Sequence, residues 1–288
     1  MAQSPSHHDR LLAEYLRFAH HLWRGETALA EPFRDRLDAL AARYGSSWAG
    51  DLLVATEFVP YHLSSDVVGL KRCILQLESL VREHPHLAVH HEVARAMYEG
   101  HRGRPERALA MYRALGEKIG AFADPIWSHA EAHAAECLNA MGDFAAARAR
   151  AERALAHVGE ASVELVGAYQ QLERELAIAC AGLGELAQAS LRLDTLLERD
   201  GDRDQPLLVG LLHRDRARVA ILDRDRDAFF LHADEARVRF RTAQNPALVA
   251  QAKKLAYDAH RVGLEADSGL SDAEDFAARA RDGFVAVD

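Results

Sequence analysis

Gly142–Leu155 reads GDFAAARARAERAL, and two other stretches repeat its pattern: Gly103–Leu115, GRPERALAMYRAL, 39 residues upstream, and Gly184–Leu197, GELAQASLRLDTLL, 42 residues downstream. In each, Pro or an apolar residue follows the Gly by two positions (Pro105, Phe144, Leu186), and Ala follows it by five (Ala108, Ala147, Ala189). Position nine holds Tyr112, Ala151 or Leu193, and position twelve holds Leu115, Ala154 or Leu196. Steps of three and four residues place positions five, nine and twelve on one face of a helix. The Gly permits a tight reversal of the chain, and the Ala lets the paired helices approach where a larger side chain would hold them apart. Each repeat is therefore one helical hairpin, which buries its apolar face only by stacking on the next. A degraded fourth copy surrounds Arg224 (DRDRDAFFLHADEARVRF), with Phe229 in place of the small Ala and no Gly at the turn.

The whole chain agrees with that reading. Its 288 residues include 54 alanines, 49% of them are hydrophobic, and only 7% are aromatic. Such a bias, with 8 prolines and no long β-branched runs, excludes sandwiches, barrels and doubly wound sheets and leaves an all-α fold. Pro32, Pro105, Pro125, Pro206 and Pro246 read as first-turn residues, and Ser46, Ser65 and the Ser271/Glu274 capping box read as further helix starts. Gly25, Gly45 and Gly120 read as helix stops. These signals predict helices over 7–23, 32–44, 47–58, 65–83, 86–101, 105–118, 125–141, 144–157, 162–183, 186–199, 206–222, 226–243, 246–262 and 272–283. The expected organisation is N-terminal hairpins over 1–84, a repeat array over 85–263, and a linker with a C-terminal capping helix over 264–288.

The glycine-anchored pattern, clearest from Val89 to Leu197, resembles the tetratricopeptide repeat family in a long-helix form, although the family's first-helix aromatic and Leu-Gly pair are not evident. The resemblance implies a right-handed α-solenoid of stacked antiparallel hairpins. It also implies that the first helix of each hairpin lines a concave groove, with residues 13, 10, 9, 6 and 3 before the turn Gly facing it. Carried onto this chain, the groove would hold His90, Val93, Ala94, Met97 and Gly100, then His129, Ala132, His133, Glu136 and Asn139. It continues with Gln171, Arg174, Glu175, Ile178 and Ala181, and then Leu211, Arg214, Asp215, Arg218 and Ile221. The Lys and Asn set by which some members clamp a C-terminal carboxylate does not recur.

Residues that would carry chemistry fall short of any catalytic pattern. Sixteen histidines include the i,i+4 pairs His86/His90 and His129/His133, with Glu136 the convenient local third donor, but the metalloprotease HExxH is absent and no metal is expected. Asp223, Asp225 and Asp227 mimic a calcium loop, yet Ala228 replaces the turn Gly and Asp234 the bidentate Glu. No phosphate-binding loop, dinucleotide motif or nucleophile elbow occurs, so neither a cofactor nor an enzyme is expected. Cys73, Cys137 and Cys180 are odd in number and sit in apolar patterns, which makes them buried free thiols.

A net charge of −9 disfavours nucleic acid, and the absence of an apolar leader or an 18-residue apolar run disfavours export and membrane insertion, giving a cytoplasmic expectation. The resemblance implies a non-catalytic scaffold or adaptor in a bacterial signalling or assembly complex, holding another protein or a peptide in its groove, with a homodimer possible. The alternative is a ligand- or peptide-sensing module acting in trans on a kinase or transcription regulator.

Overall fold

Residues 6–45, 57–119, 126–158 and 166–264 are described by a computed structural model of the chain. Among them the regular structure is helical throughout, with no strand. The first pair is α1 (His7–Trp23) and α2 (Thr27–Tyr44); α3 is described over 57–63 and is followed by α4 (Val67–Leu80). Next come a 3-10 turn at Pro85–Leu87, then α5 (Ala88–His101), α6 (Pro105–Ile119), α7 (Ile126–Ala140) and α8 (Phe144–Val158). The chain continues through α9 (Val166–Gly182), α10 (Leu186–Asp200), α11 (Pro206–Asp223), α12 (Arg226–Thr242) and α13 (Pro246–Arg261). Consecutive helices pack on one another, and α7 also touches α5 and α9, while α11 touches α9 and α13.

A regular series of left-handed residues, Gly25, Ser65, Gly103, Gly142, Gly184, Arg224 and Gly263, has φ between 57° and 83°, and outside that series Gly45 and Gln244, after α2 and α12, are left-handed as well. Successive members of that series are 40, 38, 39, 42, 40 and 39 positions apart. The first six each end a first helix and begin the reversal into its partner, and Gly263 follows the end of α13. The repeat spacing therefore runs through the first 84 residues and through the degraded copy, where Arg224 takes the backbone conformation that Gly adopts elsewhere. Five residues after these turns stand Ala30, Leu70, Ala108, Ala147, Ala189 and Phe229, all buried. Twelve residues after them stand Leu37, Leu77, Leu115, Ala154, Leu196 and Ala236, also buried. Close approach recurs at Gly210 of α11, where an added Cβ would lie 2.6 Å from the Phe240 ring of α12.

Several start and stop signals are satisfied as the sequence predicts. Gly45 is a left-handed C-cap, and Pro105, Pro206 and Pro246 lie in first turns. Others differ. Pro32 lies inside α2, because that helix starts at Thr27 behind Glu26 and continues through a residue that can make no i→i−4 hydrogen bond. Asp66, not Ser65, caps α4 by accepting from the Gly69 N–H, which leaves Ser65 as the left-handed turn residue. Of the helix expected over 47–58, residues 47–56 lie outside the described residues, and the chain is helical from 57 to 63. Ser46, Gly120, Pro125, Ser271, Glu274 and the helix expected at 272–283 lie outside the described residues. All three cysteines are free and buried.

The early and late hairpins meet. Arg24 pairs with the Asp204 carboxylate and donates to its carbonyl at 3.2 Å, Asn245 donates to the Gly25 carbonyl, and Gln251 donates to Ser65 Oγ at 2.9 Å. Leu63 packs against the cluster of Leu207, Leu211 and Phe240. A buried ion pair, Arg34 with Glu57, joins α2 to α3, and Cys73 Sγ donates to the same carboxylate at 3.3 Å.

The turn and the small residue after it give a paired prediction with opposite signs. Ala147→Leu overpacks a fully buried site and should destabilise by about 1–3 kcal/mol. Arg224→Gly relieves a left-handed conformation that costs an L-residue about 1–2 kcal/mol, and should stabilise, the gain being reduced by the greater entropy of the unfolded Gly chain. Urea unfolding of both variants measures the two effects, and a stabilised Ala147→Leu would refute the packing argument.

Candidate functional site

Helices α3, α7, α9 and α11 carry most of the buried polar side chains. Of these, His62, His133, Gln171, Arg174, Glu175 and Asp215 stand three, nine, ten or thirteen residues before the turn, offsets that share one side of a helix. The residues expected to line a groove separate into two sets with different hydrogen bonding.

The first set lies on α7, α9 and α11 and is paired internally apart from Asn139 Oδ1, which is buried without a hydrogen-bond partner among the described residues. Arg174 donates through Nε and Nη2 to Asp215 Oδ2 at 2.9 and 2.7 Å, and through Nη1 to Gln171 Oε1 at 2.6 Å. Arg214 donates to the other oxygen of Asp215 at 2.8 and 2.6 Å and to Gln251 Oε1 at 2.5 Å. Arg218 stands 3.8 Å from the same carboxylate and is half exposed. Gln171 and Asn139 each donate to Glu175, at 2.8 and 3.0 Å, and Asn139 also donates to the Glu175 carbonyl. Burial opposes ionisation of Asp215, but Arg214, Arg174 and Arg218 outweigh it and bring its carboxyl down to about 2. Arg174 is 4% exposed and Asp215 wholly buried. Removing the Arg174 guanidinium would leave Asp215 with less compensation, a loss of about 3–5 kcal/mol for a broken buried pair. The two residues thus join adjacent hairpins.

The second set lies on α3, α5 and α7 and is under-bonded. His62 Nε2 and His133 Nδ1 both stand 3.0 Å from one oxygen, Glu136 Oε2. The His101 ring lies edge-on to His62 with centroids 4.8 Å apart, and His133 lies edge-on to the other side at 4.4 Å. His62 Nδ1, His101 Nε2 and His133 Nε2 are buried without a hydrogen-bond partner among the described residues. A recess of about 100 Å³ adjoins them, lined also by Met97, Tyr112 and Cys137. Burial and the neighbouring His62 push His101 and His133 down to about 4, so both imidazoles are neutral near pH 7. Burial pushes the Cys137 thiol up to about 12, which makes it unreactive. His90 meets the Phe58 ring edge-to-face, and burial, with His90 beside it, pushes His129 down to about 4.

The sequence pattern groups His129 with His133 and Glu136; the folded chain instead brings His62 to His133 and Glu136, from 74 residues away. His62 stands three residues before Ser65, the offset at which Asn139 precedes Gly142. The signal was present, but it needs Ser65 to be recognised as a turn residue. His101 and Gln251 were likewise outside the expected set.

No match to this chain is found among protein-family models or among curated protein sequences.

Glu136 and Glu175 divide their protonation. The two imidazoles overcome the burial cost at Glu136 and hold its carboxyl well below the usual range, whereas burial and the charge on Glu136 push Glu175 up to about 8. A carboxyl raised in the folded state binds a proton that the unfolded chain has released, so its contribution to stability declines as pH rises from about 4.5 towards 8. Glu175→Gln removes that loss. The variant should gain at least about 1 kcal/mol relative to the parent between pH 5 and pH 8, read by denaturant unfolding at both values; a gap independent of pH would refute a protonated Glu175.

Proposed function

We propose that this chain is a non-catalytic binding module, a right-handed tetratricopeptide-like solenoid that holds a peptide or a protein segment at the histidine-rich end of its inner surface. One observation carries the reading: polar groups on the inner faces of α9 and α11 are bonded to each other, while buried imidazole nitrogens on α3, α5 and α7 border a recess without a bonding partner among the described residues. An unsatisfied buried polar atom costs about 1–3 kcal/mol, and a partner that brings matching donors or acceptors recovers it. Backbone amides and carbonyls of an extended segment supply such groups. The spacing of the left-handed turns supports the family assignment, and the paired Arg174–Asp215 interior supports placing the partner nearer the N-terminal hairpins. Cytoplasmic action as an adaptor in a bacterial signalling or assembly complex fits this reading, as does the absence, among the described residues, of a helix long and apolar enough to cross a membrane.

A second reading has its own support. A narrow crevice of about 20 Å³ lies where Trp23, Val59 and Leu63 face His129, Gln170, Arg174 and Leu212. A ligand or peptide that wedged this crevice open would touch both the early and the late hairpins and bias how closely they meet, as a sensor acting in trans on a kinase or transcription regulator requires.

His101→Phe distinguishes a binding role from a packing role. Replacing an under-bonded imidazole by an apolar ring should leave the melting temperature unchanged or raise it. Capture of the partner from native lysate should fall at least about tenfold, a loss of about 1.4 kcal/mol. Leu231→Ser and Val238→Ser, on the exposed face of α12, should leave capture intact. Capture that survives His101→Phe and is lost with the α12 changes would move the binding surface to the outer helices.

A further inference from the structure

We propose that His62, His133 and Glu136 form a site for a divalent transition-metal ion of the zinc class, which clasps α3 to α7 across α5. The inference is independent of which partner the inner surface holds. Two imidazoles and one carboxylate are the donor set of several open zinc sites, in which a fourth position is left for water or a substrate. Here one donor atom from each of the three residues lies within 4.8 Å of the others. On a tetrahedral ion with bonds of about 2.0–2.2 Å the donors stand about 3.3 Å apart, so shifts of about an ångström complete the set. His62 Nε2 and His133 Nδ1 already point at Glu136, each 3.0 Å from Oε2.

The protons need not leave the protein. A proton on the facing nitrogen of either ring can move to the opposite nitrogen, which frees the lone pair that the metal takes. The opposite nitrogens, His62 Nδ1 and His133 Nε2, are the buried atoms without hydrogen-bond partners among the described residues. Nothing there orients the rings for the ion, and such outer partners are worth about 10–100-fold in affinity where they occur. The ion should therefore exchange and not be locked in. Borderline nitrogen donors favour zinc, copper or nickel over magnesium or calcium, which take oxygen. The recess beside the site, with His101 and Tyr112 on its wall, provides room for a fourth ligand.

The site spans hairpins. His62 belongs to α3, while His133 and Glu136 share α7 one turn apart, and His101 of the intervening α5 lies against His62. An ion would tie the second hairpin to the fourth across the third and fix the local curvature of the inner surface.

Calorimetric titration of untagged, chelator-stripped protein with zinc sulfate should show one saturable equivalent per chain, unaffected by excess magnesium or calcium. Glu136→Gln and His62→Phe should each weaken it at least about tenfold, while His213→Ala, which breaks the contact with His232, should not. Substituted cobalt(II) should give the visible bands of a tetrahedral ion, and X-ray absorption should show nitrogen and oxygen neighbours without sulfur. If His62→Phe fails to fold, the Glu136→Gln titration and the cobalt spectrum of the parent protein decide the matter. Absence of a one-to-one equivalent, absence of tetrahedral cobalt bands, or binding untouched by Glu136→Gln would overturn the proposal.

Discussion

Two helices joined by a three-residue turn can pack along their length only if the chain reverses through left-handed backbone and the facing side chains then fit the space left between them. Every other feature of this molecule follows from meeting that condition about every 40 residues. Glycine meets it at most of the turns without steric cost, and serine and arginine meet it at Ser65 and Arg224. The residues five and twelve positions later are buried at every repeat that the structure describes, whether alanine, leucine or phenylalanine. Side-chain volume at those positions varies more than the turn geometry does, so the reversal, more than any one apolar contact, is the constant of the repeat.

Keeping the turns in register sets all first helices with one face inward, and the inward face is where polarity has to be reconciled with burial. At the α9–α11 junction the problem is solved within the protein: Asp215 accepts from two guanidinium groups, and Gln171 and Asn139 donate to Glu175. At the α3–α7 junction a single carboxylate serves two imidazoles, and the remaining ring nitrogens are left over. The same inward offset thus produces joints in one half of the molecule and unmet hydrogen-bonding capacity in the other. The difference lies in the residue types: guanidinium and amide groups reach and fork, whereas an imidazole presents two nitrogens on opposite sides of a rigid ring.

The helical class, most helix positions and the hairpin register around Gly103, Gly142 and Gly184 were legible in the sequence because local rules govern them: periodicity, turn glycines and first-turn prolines. The register at the ends was harder to read, since Ser65 does not announce a left-handed residue and Pro32 sits inside a helix that tertiary packing sustains. The inward positions of Met97, His133, Gln171, Arg174, Glu175 and Asp215 could be set by offset from the turns. What each does there could not, because exposure and pairing depend on side chains from other hairpins: Arg174 finds Asp215 41 residues on, and His133 shares Glu136 with His62. Grouping His129 with His133 by helical spacing identified a shared face but missed the partner that completes the cluster.

The contacts between the early and late hairpins bear on how the chain folds. Arg24 with Asp204, Ser65 with Gln251, and Gly25 with Asn245 are separated by 180, 186 and 220 residues. Closing a flexible loop of about 200 residues costs roughly 5 kcal/mol in chain entropy before any contact rewards it, more than one ion pair and two hydrogen bonds of ordinary strength return. Those contacts become favourable once the intervening hairpins have stacked and already hold the ends near one another. Closure is then the last step of assembly, and it changes the character of the finished molecule. In an open array the terminal units have one neighbour and fray first, whereas here the early and late hairpins shield one another, so that local opening in one is coupled to the other.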